Sequence, residues 1–167
     1  MQEDRIELLQ RMPIFGGIRA DIVQFILNLS TIALIPKGDF FFHENDKAES
    51  MYVLESGKVA ILKGWDGQQY LLRSLEGGDC FGEMALMDLS PRSASVLAMD
   101  DCMAIELSSN SLFRVYEKDL EQFTMIQMNM GREVSRRLRE ADERLFRAGI
   151  GVASTGKNQL SRFALKR

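Results

Sequence analysis

Phe81-Gly82-Glu83-Met84-Ala85-Leu86-Met87-Asp88-Leu89-Ser90-Pro91-Arg92-Ser93-Ala94-Ser95-Val96 is the stretch on which every other segment of the chain depends for its meaning. A Gly-Glu turn opens a short apolar helix, and Arg92-Ser93 then runs into a β-like segment. The pattern suits one small molecule that carries both a sugar hydroxyl and a phosphate. Free N–H groups at a helix start, here those of Met84 and Ala85, favour an anion. Gly82 lets the backbone come close. Arg92 would fork onto the phosphate, and Ser93 would add a hydroxyl and an N–H. An ionised Glu83 only accepts hydrogen bonds, so it wants a hydroxyl. A carboxylate beside a phosphate is repulsive unless the arginine lies near both.

Outward from this stretch, short β-like runs follow one another: 32–35, 40–43, 51–55, 58–63, 69–74, 94–99 and 102–107. Gly57 splits two of them, Trp65-Asp66-Gly67-Gln68 carries an Asp-Gly hairpin signal, and Glu76-Gly77-Gly78-Asp79 marks another tight turn. Many short strands between turns predict a sandwich or barrel. Helices are expected at 5–11 and 20–29, where Ile22, Val23, Ile26, Leu27 and Leu29 have helical spacing. Helix returns after Asn110, read as the N-cap, with Leu112, Phe113 and Tyr116 facing the strands. A long helix is expected over 120–146. Its first half shows Phe123, Ile126 and Met130; its second shows Val134, Leu138, Ala141 and Leu145 at heptad spacing, with Gly131 a weak point between them.

The opening stretch resembles the phosphate-binding cassette of cyclic nucleotide-binding domains, matching at Phe81, Gly82, Glu83, Met84, Ala85, Leu86, Pro91, Arg92, Ser93, Ala94, Ser95 and Val96. The resemblance extends upstream through Ile35-Pro36-Lys37-Gly38-Asp39, Met51 to Val59, and Met12-Pro13-Ile14-Phe15. It implies an α+β fold, a jelly-roll β-barrel flanked by short N-terminal helices and a long C-terminal helix. It implies a nucleotide-binding domain over 1–147 and leaves 148–167 as a flexible basic tail. Glu83 would accept from the ribose 2′-hydroxyl, and Leu72 and Leu75 would line the base pocket. In such domains the long helix closes over the base. Here Arg136-Arg137-Leu138-Arg139-Glu140-Ala141-Asp142 stands where some relatives carry a Thr-Ser pair. Arg137 would stack on or bond to the purine. Asp142 can accept from the adenine amino group or from both N–H groups of guanine's Watson–Crick edge. Ser93 after the arginine resembles bacterial cAMP sensors. cAMP is the favoured ligand, and cGMP stays open.

At 167 residues and 46% apolar, the chain is large enough for one domain with its own core. No run approaches the ~18 apolar residues that a membrane span needs. No apolar leader follows Met1-Gln2-Glu3-Asp4-Arg5, so a cytoplasmic protein without membrane insertion is expected. Cys80 and Cys102 read as reduced core thiols, and a single histidine, His43, argues against a metal site. No catalytic constellation is visible, so a non-enzymatic sensor is expected. Haem ligation through His43 or Cys80 would leave the cassette unexplained. A cofactor is not expected beyond the nucleotide ligand itself.

From Arg132 to the end, ten basic and four acidic residues give +6, against −9 for the remainder of a chain whose net charge is −3. This basic end reads as a solvated helix face and solubilising tail, or as a surface for a nucleic-acid or acidic-protein partner. The last segment has no room for a helix-turn-helix, so direct DNA binding is not expected. The resemblance implies a homodimer through the 120–146 helix and an effector protein. A ligand-free interaction domain that has kept the fold is the alternative.

Overall fold

The computed structural model describes residues 2–154. The chain divides into two compact units at the junction of Met130 and Gly131. In the first unit, α1 (Gln2–Arg11), a 3-10 turn (Pro13–Phe15) and α2 (Ala20–Asn28) precede the strands. These are β1 (Thr31–Ile35), β2 (Phe40–Phe42), β3 (Ser50–Ser56), β4 (Lys58–Trp65), β5 (Gln68–Glu76) and β6 (Cys80–Phe81), then, after α3 (Met84–Asp88), β7 (Ser95–Ala98) and β8 (Cys102–Ser108). Two helices follow among the described residues, α4 (Ser109–Lys118) and α5 (Leu120–Ser154).

The strands form two four-stranded antiparallel sheets, ordered β1-β8-β3-β6 and β2-β7-β4-β5. This is the double-sheet form of a jelly roll, with two separate sheets rather than a closed barrel. Alternation explains the layering. Leu54, Phe81, Cys102 and Ala104 turn from the first sheet towards Val59, Ile61, Val96 and Ala98 of the second. Val53, Cys80, Ile105 and Leu107 turn to the opposite face, under Leu9, Phe15, Ile22, Ile26, Leu112, Val115, Ile126 and Met130. Strands β3, β6 and β8 of the first sheet are therefore largely buried on both faces, while its edge strand β1 is mostly exposed. The edge strand β5 of the second is largely exposed.

Several turn signals act as expected. Asp66 and Gly67, at φ 49 and 73, make the β4–β5 hairpin. Both cysteines are buried, and neither forms a disulfide among the described residues. Among the described residues no group of side chains could hold a metal, and no helix is long and apolar enough to cross a membrane.

Three expectations change. The cap of α4 is Ser108, whose side chain accepts from Ser111 N, and not Asn110. The buried face of α4 is Ser111, Leu112 and Val115, while Phe113 and Tyr116 stack on each other on its exposed side. The two-residue strand β6 was not expected, because it is too short to alternate. Finally, α5 runs past Phe146 to Ser154, so 148–154, read from sequence as the start of a flexible tail, are helical. Gly149 and Gly151 weaken a helix by only about 1 kcal/mol each relative to Ala, and the Glu143–Arg147 pair at i,i+4 supports the turn before them. The remainder of that tail, 155–167, lies outside the described residues.

Asp119 starts α5 by accepting from Gln122 N through its side chain at 3.0 Å, and it pairs with Arg19. Within the first unit, Gln122 Oε1 accepts from Arg19 N at 2.8 Å, and Asn129 Nδ2 donates to the carbonyls of Ile14 and Gly16. These buried amides are satisfied, which makes them compatible with the core around Ile126 and Met130.

Candidate functional site

The loop from β6 into α3 and β7 gathers the candidate residues. Gly82 has φ 81, and a Cβ there would lie 2.6 Å from Arg92 Nη1. Only glycine meets both conditions, the backbone angle and the close approach. Glu83 follows, 1% exposed, and its carbonyl accepts from Leu86 N at 3.1 Å, opening α3. Met84 and Ala85 form the first turn, whose N–H groups have no acceptor within a helix. Met84 is exposed.

Arg92 is 4% exposed. Its guanidinium lies 3.9 Å over the ring of Phe42, a cation–π contact. Nη1 donates to Gly82 O at 3.2 Å, and Nη2 reaches Ser50 Oγ at 3.4 Å, long for a hydrogen bond. Nε is a buried donor without an acceptor. Burial pulls the guanidinium below its usual pKa, while Tyr52, Glu106, Asp46 and Glu83 act in the opposite sense. The positive charge is thus desolvated, only partly compensated, and held beside a buried carboxylate. An anion with several acceptor oxygens would complete such a site, and a hydroxyl would suit Glu83. Glu83 is among the charges that act on Arg92, and the two groups lie in one loop.

Aromatic packing holds this geometry. Tyr52 stacks on Phe81 at 5.4 Å, and Phe41 meets both edge-on. Burial pushes the Tyr52 hydroxyl up, and Tyr52 OH donates to Glu106 at 3.1 Å. Backbone bonds fix the arginine's own peptide: Asn45 N donates to Arg92 O at 2.8 Å, and Arg92 N donates to Asp46 O at 2.9 Å. Ser93 is exposed.

Other expected residues sit elsewhere. Leu72 is the extra residue of a bulge in β5, since Ile61 faces Arg73 and Leu62 faces Leu71. It is half exposed, whereas Leu75 packs partly against the inter-sheet core. Arg137 and Asp142 belong to α5 in the second unit. There Arg137 Nε donates to Glu133 at 2.9 Å, and Asp142 is exposed. His43 is exposed and stacks on Phe40. Phe42 and Ser50 were not singled out from the sequence. They reach Arg92 through strand pairing, and no motif spacing announces that.

Comparison with known proteins agrees with this geometry. A sequence model described as "Cyclic nucleotide-binding domain" matches residues 34–119. The chain is similar to the "Cyclic AMP receptor protein" of Thermus thermophilus, 33% identical over 132 residues, covering 78% of this chain and 59% of that protein. It is also similar to the "cAMP-dependent protein kinase regulatory subunit" of Hypocrea atroviridis, 42% identical over 78 residues, covering 47% of this chain and 16% of that one. Among solved structures, the Thermus thermophilus catabolite activator protein superposes with a TM-score of 0.72 at 30% identity, covering 82% of this chain and 63% of that chain. The chain thus spans less than two thirds of the length of these relatives.

Proposed function

Because this chain belongs to the cyclic nucleotide-binding domain family, we propose that it is a regulatory sensor module that binds cAMP and converts occupancy into a change of its C-terminal helix. One observation carries this reading: the Arg92 guanidinium is buried with Nε lacking an acceptor, in the same loop as the buried carboxylate Glu83. The cyclic phosphate would take Arg92, the Ser93 hydroxyl and the first-turn amides of Met84 and Ala85, with Gly82 admitting the close approach. The ribose 2′-hydroxyl would donate to Glu83. Leu72 would flank the base, and Arg137 and Asp142 would read it.

Two features support cAMP. Ser93 follows the arginine, and the names of both curated relatives specify cAMP. Asp142 supports cGMP as a second reading, since an exposed carboxylate matches guanine's paired donors. Val134, Leu138, Ala141 and Leu145 supply the seam for a parallel homodimer. Occupancy would act on that seam, or on an effector protein, only to the extent that the two helix states differ in nucleotide affinity. No catalytic step or DNA contact is part of this proposal.

Titration calorimetry with cAMP and cGMP at one salt concentration tests it. Saturable heat at one site per chain, stronger for cAMP, is the expected result. A stronger response to cGMP would transfer the assignment to the second reading. No heat from either nucleotide would leave an interaction domain that has kept the fold without the ligand.

A further inference from the structure

We propose that Lys63, acting with Glu44, is a positioning residue that sets the peptide planes of the ligand loop at Ser93; this rests on the nucleotide reading above. Lys63 lies on β4, outside the cassette, at a place where a lysine would ordinarily extend into water. Instead its Nζ donates to the Ser93 carbonyl at 2.7 Å and pairs with the Glu44 carboxylate. Glu44 is the hub. Its second oxygen accepts from Gly64 N at 3.0 Å, and its own N–H donates to Ser95 Oγ at 2.8 Å. One residue therefore binds two consecutive residues of β4 through its carboxylate and Ser95 through its backbone N–H, while Lys63 carries the link on to Ser93. The Lys63 and Gly64 bonds hold the Glu44 carboxyl below its usual range, consistent with a committed ion pair.

The consequence follows from peptide geometry. C=O and N–H of one planar trans peptide point in opposite directions. Asn45 N holds the Arg92 carbonyl, which orients the N–H of Ser93. Lys63 holds the Ser93 carbonyl, which orients the N–H of Ala94 away from Lys63. The two peptides that follow the phosphate-binding arginine are thus both aimed from outside the cassette. Asn45 adopts φ 72 to make its contribution, a left-handed conformation that asparagine tolerates better than most residues. Without Lys63, the Ser93–Ala94 peptide would lose its charge-assisted tether and sample other orientations.

The test compares full-chain wild type, Lys63→Met, Lys63→Arg, Glu44→Gln and the double variant Glu44→Gln/Lys63→Met by competition against a fluorescent cAMP analogue, with melting curves of each. Lys63→Met should weaken binding about tenfold, the scale of one lost charge-assisted hydrogen bond. Its Tm without nucleotide should stay at the wild-type value. Lys63→Arg should bind within about threefold of wild type, because a guanidinium can still bridge both acceptors. The double variant should bind no more weakly than Lys63→Met, because the two residues act as one device. Wild-type affinity in Lys63→Met would overturn the inference while leaving the nucleotide reading intact. So would failure of Lys63→Arg to rescue, or full additivity in the double variant. A wild type that binds neither cAMP nor cGMP would remove the nucleotide reading, and this inference with it.

Discussion

Arginine is used in opposite ways in the cassette and in the second half of α5. Arg92 is buried, lies on an aromatic face, and keeps one donor without an acceptor. Its pKa is pulled down by burial. Arg136 is exposed and pairs with Glu133 at 2.6 Å and with Glu140; its pKa is pushed up, first by the Glu133 bond. Arg137 shares the Glu133 carboxylate. Where carboxylates already complete the guanidinium, an added anion gains little and must displace a partner. Where the guanidinium is desolvated and incomplete, an anion gains a full charge-assisted pair. The contrast separates an arginine whose partners come from its own helix from one that is buried with a donor left open. Any new acceptor for Arg137 would likewise have to share or displace Glu133.

Arg92→Met should break the comparison most severely. Nucleotide affinity should fall by about 2–5 kcal/mol, the range for truncating one member of a desolvated charge pair. Without nucleotide, the variant should melt at or above the wild-type Tm, because an apolar side chain replaces a buried, incompletely paired charge. Calorimetry and melting curves give both numbers, and unchanged affinity would remove Arg92 from the phosphate site. The next effect in size is at Gly82. Gly82→Ala must accept φ 81 and a Cβ at 2.6 Å from Nη1, at a cost of about 1–3 kcal/mol of stability. Because the displaced atom belongs to Arg92, affinity should fall together with Tm.

Gly131 gives the opposite sign. A Cβ there meets nothing within 4 Å, and the residue lies inside α5. Gly131→Ala should therefore stabilise by about 0.5–1 kcal/mol in denaturant titrations. Two glycines treated alike by any helix scale are thus separated by what surrounds them.

Much of this was readable in advance, and the reasons are local. Gly82, Glu83 and Arg92 share one short stretch, so their spacing marks a candidate site without knowledge of the fold. The strands announced themselves as short β-like runs between turn residues. β6 did not, because Cys80–Phe81 offers a single pair. The run Ser108-Ser109-Asn110-Ser111 contains four capping candidates, and sequence alone does not choose Ser108. Phe113 and Tyr116 were misplaced for a separate reason: their spacing fits a helix face as well as that of Leu112 and Val115, and only packing chooses between them. Phe42 and Ser50 were illegible for a different reason. They come from β2 and β3, and only sheet pairing brings them to Arg92. Lys63 is hidden in the same way.

pH sharpens the comparison from the side of α5. Glu133 is held below the usual glutamate range, first by its bond to Arg136 and then, against burial, by both arginine charges. A depressed carboxyl stabilises the fold above its unfolded pKa and loses that contribution as pH falls through the folded value. Helicity at 222 nm should accordingly hold from neutral pH into the ordinary carboxylate range and fall only below it. Glu133→Gln should flatten that acid limb, and an unaltered limb would show that the pair does not support the helix.

The smallest expected effect is at Leu145, which is 72% exposed. An exposed leucine has little to lose, so Leu145→Ser should change stability by less than about 0.5 kcal/mol in dilute protein. The proposed seam through Val134, Leu138, Ala141 and Leu145 changes that expectation as concentration rises. If two chains pair there, the leucine becomes buried by mass action, and wild-type Tm should climb with concentration. The Leu145→Ser curve should stay flat. Melting both proteins across a hundredfold dilution series reads the difference directly. Parallel curves would show that Leu145 does not contribute to any dimer, and a large loss in dilute protein would place its burial within a single chain.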